Sequence, residues 1–340
     1  MSAESKAATR ILIINLAFIG DVLLSTPVAR ALRQAYPDAV IDMLVIPLAA
    51  PIARGNPYID GVLEYDKRGR HKKFGELIKL IAAIRARRYD LAVTTNFAPR
   101  GAMLAWASGI PRRVGYDAQH AGWFLTDKAS PHRPAIRHEA ENYLDVLKPL
   151  GITTADTSLA LKINAAAAAS LAKKVAFDSA KPVVAICPAG SYPQKSWSVE
   201  GYAQLIRRLA TQADCYLIGA SGEAARLEEI NAAAGHLAKV LAGTLALGEL
   251  VAFLAHARLL VSVDTGPMHM ANAVGTPVVA LFGPTDPKGW GPRGSRDVIF
   301  YNADECSPCW GRKACSDNNC MNLLAADKVI AAALAIMEGS

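Results

Sequence analysis

Short apolar runs alternate with longer amphipathic segments along nearly the whole chain, and this alternation limits the fold more than any other feature. Residues 11–16 and 40–46 are apolar runs of strand length, whereas 22–36 and 74–88 have helical length, the latter with a basic outer face. Pro27 is expected to kink the first of these helices or to shift its start. Strands and helices in alternation are typical of βαβ units with a parallel sheet, so the predicted fold class is α/β.

The alternation occurs in two series. The second begins with an apolar run at 159–163, expected to be a strand, and a helix over 165–177, after a polar, non-periodic segment at 151–158. A chain of 340 residues, 52% of them hydrophobic, is long enough for two domains with separate cores. We therefore predict two Rossmann-like domains facing across a cleft, one over 1–155 and one over 156–340, with ligands beyond the carboxyl ends of the strands.

The segment Val-Asp-Thr-Gly-Pro-Met-His at 263–269 lies where an apolar, β-branched run leads into a helix. Asp264 and Thr265 are suitable capping residues. Gly266 allows a ligand to approach the backbone closely, and Pro267 fits a first helical turn. Because N–H groups and the dipole at a helix start favour negative charge, this segment can bind a phosphate without a metal. The alternative is an ordinary capped helix.

Four cysteines lie close together near the C-terminus with the spacing C-x2-C-x5-C-x4-C: Cys306, Cys309, Cys315 and Cys320. Thiolates in such a group can bind a structural zinc or iron ion. The spacing is tighter than that of the usual paired zinc ribbon, and cytosolic thiols are normally reduced, so reduced thiols are the expectation and a metal is the alternative. Cys187 and Cys215 lie inside predicted strands and are expected in the core.

The positive charge is concentrated in the first half of the chain. Residues 1–160 hold 21 Lys and Arg against 15 Asp and Glu, a balance of +6, which leaves +1 of the total +7 for the rest. Much of the excess comes from the runs 67–73 and 85–88. Such runs are usually solvated faces, and the functional alternative is a surface for an anionic partner such as a membrane or a phosphorylated glycolipid. Nucleic acid is not expected as a partner, because few aromatics interleave with the cations.

The start of the chain is expected to be part of the fold. The apolar run 11–20 resembles the core of a signal peptide, but it leads into Asp21 and a new periodic segment rather than a small-residue cleavage site. No uncharged apolar run approaches the length needed to span a bilayer. We expect a protein of the cytoplasm without a transmembrane segment, either free or peripheral to the inner face of the cytoplasmic membrane.

Two common nucleotide-binding fingerprints are missing from the sequence. There is no Gly-x-x-x-x-Gly-Lys-Ser/Thr, and no Gly-x-Gly-x-x-Gly follows the first strand. A phosphate-loop ATPase and a nicotinamide dehydrogenase are therefore not expected.

Several short motifs occur in a distinctive order. They are Ile-Leu-Ile-Ile-Asn at 11–15 leading to Gly-Asp-Val at 20–22, Pro-Ala-Gly-Ser at 188–191 with Lys195 and Trp197, Asp-Thr-Gly at 264–266 with His269, and Phe-Gly-Pro-Thr at 282–285. Each motif is modest, but their order and spacing together resemble glycosyltransferase family 9, the ADP-heptose:lipopolysaccharide heptosyltransferases. The resemblance spans nearly the whole chain.

The resemblance implies a role for individual residues. Asp21 is implied as the base that takes the proton of the acceptor hydroxyl, although it is also a suitable N-cap for a helix beginning at Val22. A carboxylate tied to helix N–H groups is a poorer base, so a catalytic Asp21 should be only partly engaged by the helix. Lys195, in a loop expected to be exposed, is implied as a diphosphate contact, as are Asp264, Thr265 and Gly266.

Two further donor-binding residues are expected. His269 in the first helical turn can reach a phosphate or the acceptor, whereas packing is the alternative for a lone histidine. Glu223 follows the strand that ends near Gly219, where an acidic residue can bind ribose hydroxyls. Its alternative role is compensation of the helix dipole.

The resemblance implies an inverting glycosyltransferase of the two-domain GT-B type that moves a heptose from ADP-heptose to the inner core of lipopolysaccharide, without a required cofactor. The second heptose addition, as in a heptosyltransferase II, is the preferred step. In this fold the last helix, over 327–337, is expected to cross back onto the first domain. The alternatives are a family-9 enzyme with another sugar donor or a protein acceptor, and a non-catalytic two-domain protein that binds a sugar or nucleotide.

Overall fold

Two units of α/β structure meet in the chain between Lys162 and Ile163. The computed structural model describes residues 8–131, 137–178, 180–312, 315 and 317–339. Each unit contains a six-stranded sheet in which all neighbouring strands are parallel. The α/β fold class predicted from the alternation, with two Rossmann-like domains, is confirmed.

The first unit has the strand order β3-β2-β1-β4-β5-β6. The strands are β1 (Arg10–Asn15), β2 (Val40–Val45), β3 (Gly61–Glu64), β4 (Leu91–Thr94), β5 (Arg112–Tyr116) and β6 (Asp127–Ala129). The helices are α1 (Ile19–Leu24), α2 (Thr26–Ala35), α3 (Ala50–Gly55), α4 (Phe74–Ala86), α5 (Arg100–Ala107) and α6 (Glu139–Leu144). The strands β1, β2 and β4 are almost entirely buried, as expected for a parallel sheet covered by helices on both faces.

The helix predicted over 22–36 is two helices, α1 and α2, which are separated at Ser25. The Ser25 hydroxyl donates to the carbonyl of Val22 at 2.9 Å. Pro27 lies in the first turn of α2, where its missing N–H costs no helical hydrogen bond. The shift of a helix start that Pro27 predicted is therefore confirmed, and the short α1 that results contains Asp21.

The second unit has the strand order β12-β11-β10-β7-β8-β9. The strands are β7 (Val183–Cys187), β8 (Asp214–Gly219), β9 (Ala238–Ala242), β10 (Leu259–Val263), β11 (Val278–Phe282) and β12 (Val298–Tyr301). The helices are α7 (Ala165–Lys174), α8 (Val199–Leu209), α9 (Ala224–Ala233), α10 (Leu247–His256), α11 (Gly266–Ala273), α12 (Pro287–Trp290), α13 (Asn319–Asn322) and α14 (Ala326–Glu338). The last helix, α14, packs on α8, β10 and β11 of this unit, and its expected return to the first domain stays a prediction.

The strand predicted at 159–163 is wrong. These residues have no regular secondary structure, and the Lys162 backbone N–H donates to the carbonyl of Gly55 at 2.7 Å. A short alternating run therefore lies against the end of α3 in the first unit instead of pairing in a sheet.

The two sheets share one topology, since each reads 3-2-1-4-5-6 when its strands are renumbered in chain order. In this order the direction of winding reverses between the first and fourth strands, which are β1 and β4 in the first unit and β7 and β10 in the second. Ligands of open α/β sheets bind beyond the carboxyl ends of the strands at this switch point. The loops after β1, β4, β7 and β10 are therefore where the functional residues should lie.

Candidate active site

The loop after β1 in the first unit is fixed by polar side chains at the switch point. The Asn96 side-chain oxygen accepts from the Leu16 N–H at 2.7 Å, and the Asn15 oxygen accepts from the Ala17 N–H at 3.1 Å. Asn96 also donates to Asn15 at 3.2 Å, and the Lys67 ammonium donates to the Leu16 carbonyl at 3.1 Å. The backbone that leads into α1 thus has few alternative conformations.

Asp21 lies in the first turn of α1, but it is not the N-cap. The helix begins at Ile19 with Phe18 as N-cap, and no side-chain bond caps it from that position. The Asp21 carboxylate accepts a hydrogen bond from the Phe18 backbone and another from the Tyr143 hydroxyl, whose oxygen is 2.7 Å from Oδ1. The alternative role of Asp21, as N-cap of a helix beginning at Val22, is therefore wrong, and Asp21 is only partly engaged by the helix.

The environment of Asp21 raises its pKa. Burial is the main cause, and the charge of Glu139 adds to it, whereas the hydrogen bonds from Tyr143 and Phe18 act in the opposite direction. Glu139 and Tyr143 are both buried and lie one turn apart on α6. Burial and the nearby Asp21 also raise the pKa of Tyr143 well above its usual value, so this phenol stays protonated and donates. A carboxylate with a raised pKa is suited to accept a proton near neutral pH.

Two cavities open beside the loop 16–18, with volumes of about 330 and 570 Å³. Both are lined by Lys67 and Arg68, and the larger one also by Arg100 and Asn96. Three basic side chains therefore converge on the carboxyl edge of this sheet. This edge can bind a ligand that carries carboxylate or phosphate groups.

The switch point of the second unit holds a buried ion pair. Lys195 Nζ lies 2.8 Å from Asp264 Oδ2 and 2.9 Å from the Asp264 carbonyl oxygen. The same ammonium lies 5.0 Å from the centre of the Tyr192 ring. The expectation that Lys195 lies in an exposed loop is wrong, because the residue is only 9% exposed. The structure brings Lys195 and Asp264 together, and the pair ties the loop after β7 to the turn after β10.

The turn after β10 leads into α11, as the sequence predicted. Thr265 is the N-cap and makes no side-chain capping bond, and Gly266 and Pro267 form a half-buried first turn. His269, at 3% exposure, is buried in the second unit. The packing alternative thus describes the position of His269, and its contact with a ligand stays a prediction.

Glu223 stabilises the turn after β8. One of its carboxylate oxygens accepts from the Ala220 N–H at 2.7 Å, at the start of a 3₁₀ turn that precedes α9. This bond supports the local structural role of Glu223. Its contact with ribose hydroxyls stays a prediction.

Within the described part of the chain, seven buried side-chain polar atoms have no hydrogen-bond partner, and three of them follow β7 or β11 at this edge. These three are Thr285 Oγ1, the Tyr192 hydroxyl and Trp290 Nε1. Buried polar groups are nearly always paired, so such atoms commonly indicate a bound ligand or water. Thr285 belonged to a motif of the resemblance but was given no role, and Tyr192 and Trp290 carried no signal in the sequence.

Residues of the segment that carries the four clustered cysteines contact the loop after β7 and the loop after β11. The Trp310 N–H donates to the Pro284 carbonyl at 2.9 Å, and the Asn318 amide donates to the Ser196 carbonyl at 3.1 Å. The segment therefore connects the loop that carries Lys195 to the loop that carries Thr285.

All six cysteines are free thiols. Burial, followed by the charges of Cys306, Cys309 and Cys315, raises the pKa of Cys320 to about 11. Among the residues that the structure describes, which exclude 313, 314 and 316, no group of three His, Cys, Asp or Glu side chains is placed to hold a metal ion. The metal alternative therefore stays a prediction, whereas the core positions expected for Cys187 and Cys215 are confirmed.

The two units share one parallel-sheet topology, and each holds polar side chains at its switch point, where ligands of such sheets bind. The family model described as glycosyltransferase family 9 (heptosyltransferase) matches residues 77–319. The chain belongs to this family and is a glycosyltransferase.

Individual relatives agree with the family model. The chain is 31% identical over 298 residues to lipopolysaccharide heptosyltransferase 3 of Escherichia coli K12, covering 83% of this chain and 85% of the relative. It is 26% identical to lipopolysaccharide heptosyltransferase 2 of the same strain, covering 82% and 84%. Among solved structures, a family 9 glycosyltransferase from Veillonella parvula DSM 2008 is 25% identical with a TM-score of 0.86, covering 98% of both chains. Heptosyltransferase II of E. coli superimposes with a TM-score of 0.81 at 22% identity, covering 96% and 98%. Across the described residues, no helix is both long and apolar enough to cross a membrane.

Proposed function

We propose that this protein transfers a heptose from ADP-heptose to the inner core of lipopolysaccharide, with inversion at the anomeric carbon. The relatives named as lipopolysaccharide heptosyltransferases support the sugar and the acceptor class. The observation that carries the chemistry is the Asp21 carboxylate, which has a raised pKa and a hydrogen bond from Tyr143 at the switch point of the first unit.

In the first unit, Asp21 acts as the general base. It removes the proton of the acceptor hydroxyl, and the resulting oxygen attacks the anomeric carbon of the heptose. The bond from that carbon to the ADP oxygen breaks, and its electron pair leaves on the diphosphate. Tyr143 is a positioning residue, because its hydroxyl holds one carboxylate oxygen at 2.7 Å and so orients the group.

In the second unit, the start of α11 stabilises the diphosphate through its dipole and first-turn backbone. Lys195 positions this turn through its bonds to Asp264, and a diphosphate close to the ammonium would compete with Asp264 for it. Thr285 and Tyr192 contribute hydroxyl groups that are buried and unpaired in the described structure. These groups stabilise negative charge as it develops on the leaving ADP.

The acceptor binds at the two cavities of the first unit. Lys67, Arg68 and Arg100 line them and suit an acceptor that carries acidic sugars or phosphates. Because such an acceptor is anchored in a membrane by its lipid, we place the enzyme at the cytoplasmic face of the inner membrane as a peripheral protein. The second heptose addition stays our preferred step, although the relatives include both heptosyltransferase 2 and heptosyltransferase 3.

A donor and acceptor panel tests this function. The purified protein is incubated with ADP-heptose, ADP-glucose or a UDP-sugar, and with inner-core acceptors that carry no heptose, one heptose or two. Mass spectrometry should show one added heptose only with ADP-heptose, and mainly on the one-heptose acceptor. Transfer from another donor, or to a protein acceptor alone, would favour the alternative family-9 activity. Transfer mainly to another inner-core acceptor would change only the assigned step.

A further inference from the structure

Helix α4 of the first unit exposes an apolar face to solvent. Its inner side chains Leu80 and Ile84 are buried in the core, as expected for a helix that covers a sheet. Beside this buried face, and one turn apart, Phe74 is 79% exposed and Ile78 47% exposed. Further exposed residues on the outer side are small or basic: Gly75, Lys79, Ala82, Ala83, Arg85 and Ala86. A surface helix normally has a largely polar outer side. The basic outer face expected from the sequence is therefore only part of this surface, because Phe74 and Ile78 are exposed as well.

The charges around this face are almost all positive. Lys72 and Lys73 are exposed immediately before the helix, and Arg85 and Arg88 are exposed at its end, where the Arg85 guanidinium donates to the Ala107 carbonyl at 2.5 Å. The acidic residue of the helix, Glu76, is paired at 2.7 Å with both Arg70 and Lys79, so it leaves little unbalanced negative charge. We name the outer side of α4 and these four flanking cations the α4 surface.

The position of the lysines supports a role outside folding. Positive charges at the start of a helix oppose its dipole, so Lys72 and Lys73 do not stabilise α4. Local features that oppose stability are commonly functional. Arg87, by contrast, forms an ion pair at 2.6 Å with the buried Asp42 and belongs to the fold.

The α4 surface is joined to the proposed acceptor cavities by a short, closed turn. Lys67 and Arg68 line the cavities and lie in the turn that follows β3. The Asp66 carboxylate accepts from the Gly69 and Arg70 N–H groups at 2.8 and 2.9 Å, and the Asp66 N–H donates to His71 Nδ1 at 2.9 Å. These bonds fix the start of α4 relative to the cavity edge.

We propose that the α4 surface docks on a bilayer that contains anionic lipid. An exposed aromatic and an aliphatic side chain between clusters of cations match an interface of headgroup phosphates above acyl chains. Phe74 and Ile78 enter the boundary between headgroups and acyl chains, while Lys72, Lys73 and Arg88 lie at the lipid phosphates. α4 then lies along the membrane plane over about 20 Å, its full length. This inference rests on the proposed function in one respect, which is that the acceptor lies in a membrane.

Vesicle co-sedimentation tests the apolar part of the surface. Vesicles of phosphatidylcholine mixed with phosphatidylglycerol are compared with pure phosphatidylcholine, for the wild type and for the double variant Phe74→Ser with Ile78→Ser. The matched control is Ile163→Ser with Leu237→Ser, which removes apolar side chains that are 48% and 50% exposed in the second unit. We expect the α4 variant to bind anionic vesicles about tenfold more weakly, because its apolar burial is lost. The control should bind like the wild type.

The charged part is tested with Lys72→Gln and Lys73→Gln together. This variant should bind anionic vesicles more weakly at low salt and should resemble the wild type at high salt, where screening shortens the reach of charge. Both α4 variants should keep the thermal midpoint of the wild type, since the replaced side chains are exposed.

The activity of the variants separates this inference from the proposed function. With a water-soluble, deacylated acceptor, the Phe74 and Ile78 variant should transfer heptose at the wild-type rate. If the wild type transfers no heptose to any inner-core acceptor, the proposed function fails while the vesicle result still stands. Unchanged vesicle binding of the α4 variant would overturn the docking proposal. Sedimentation analysis distinguishes one further outcome. If the wild type is a dimer, and the α4 variant is a monomer that binds vesicles as well as the wild type does, the α4 surface contacts a second copy of the chain and the docking proposal is overturned.

Discussion

The two switch points have the same strand topology, but their side chains differ in kind. In the first unit, amide side chains fix the loop after β1, and the acidic residue beyond it has a raised pKa. In the second unit, a lysine and an aspartate form a buried pair between the loops after β7 and β10. The first arrangement suits a group that accepts a proton, and the second holds an ammonium and a carboxylate 2.8 Å apart across two loops. The shared topology thus defines where ligands bind, while the chemistry depends on the individual side chains.

The largest expected effect concerns Asp21, since the proposed function gives proton transfer to this residue. Asp21→Asn removes the basic oxygen but keeps the shape of the side chain and much of its hydrogen bonding. Turnover should fall by about two to four orders of magnitude, the range usual for one acid-base group. Single-turnover rate, ADP affinity and thermal midpoint are measured on one preparation. ADP affinity should stay nearly intact, and a variant that keeps most of its transfer rate would end the case for Asp21 as the base.

Lys195→Met tests the buried ion pair of the second switch point. The substitution leaves the Asp264 carboxylate buried without its cation, so we expect a loss of stability of about 3 kcal/mol. ADP affinity should fall as well, because the turn before α11 loses its support. Chemical denaturation and calorimetric titration measure the two effects, with the exposed Lys181→Met as the matched control.

The double variant Lys195→Met with Asp264→Asn sharpens this test. It removes the unpaired charge and should recover part of the lost stability. A single Lys195 variant as stable as the control would show that the pair contributes little to the second unit.

Two variants on α6 test the environment of Asp21 in opposite directions. The Tyr143 hydrogen bond lowers the pKa of Asp21, whereas the charge of Glu139 raises it. Asp21 is active when ionised, so activity falls as the pH falls through its pKa. Tyr143→Phe should therefore move the acid limb of kcat/KM to higher pH, and Glu139→Gln should move it to lower pH.

The size of these effects is modest. The loss of one hydrogen bond to a carboxylate should lower the rate of Tyr143→Phe about tenfold below neutral pH and less above it. If the acid limbs of both variants moved in the same direction, the assigned environment of Asp21 would be contradicted. A merely structural role of α6 does not predict that the two limbs move in opposite directions.

The parts of the molecule that could be predicted are those that depend on local patterns. Apolar periodicity identified β1, α4 and β10, and Pro27 marked a shifted helix start. The contacts of the site depend on the tertiary fold. Tyr143 lies 122 positions from Asp21 and carried no local signal. Lys195 was expected to be exposed, because a polar loop gives no indication that a carboxylate 69 positions away will cover its ammonium. The strand at 159–163 failed for a related reason, since a strand needs a sheet edge and this segment lies against α3.

Thr285→Val gives the smallest expected effect. It tests whether the Thr285 hydroxyl forms a hydrogen bond with ADP at the second switch point. Thr285 is 2% exposed, and its hydroxyl has no partner among the described residues. Removing an unpaired buried hydroxyl should leave the stability of the free protein unchanged or raise it slightly, since no hydrogen bond is lost. If the hydroxyl binds ADP, affinity should fall about fivefold, which corresponds to one neutral hydrogen bond of about 1 kcal/mol. Thermal midpoints with and without ADP measure both quantities, and Thr285→Ser, which keeps the hydroxyl, serves as the control. A lower midpoint without ADP and an unchanged ADP affinity would assign Thr285 to the fold instead of the site.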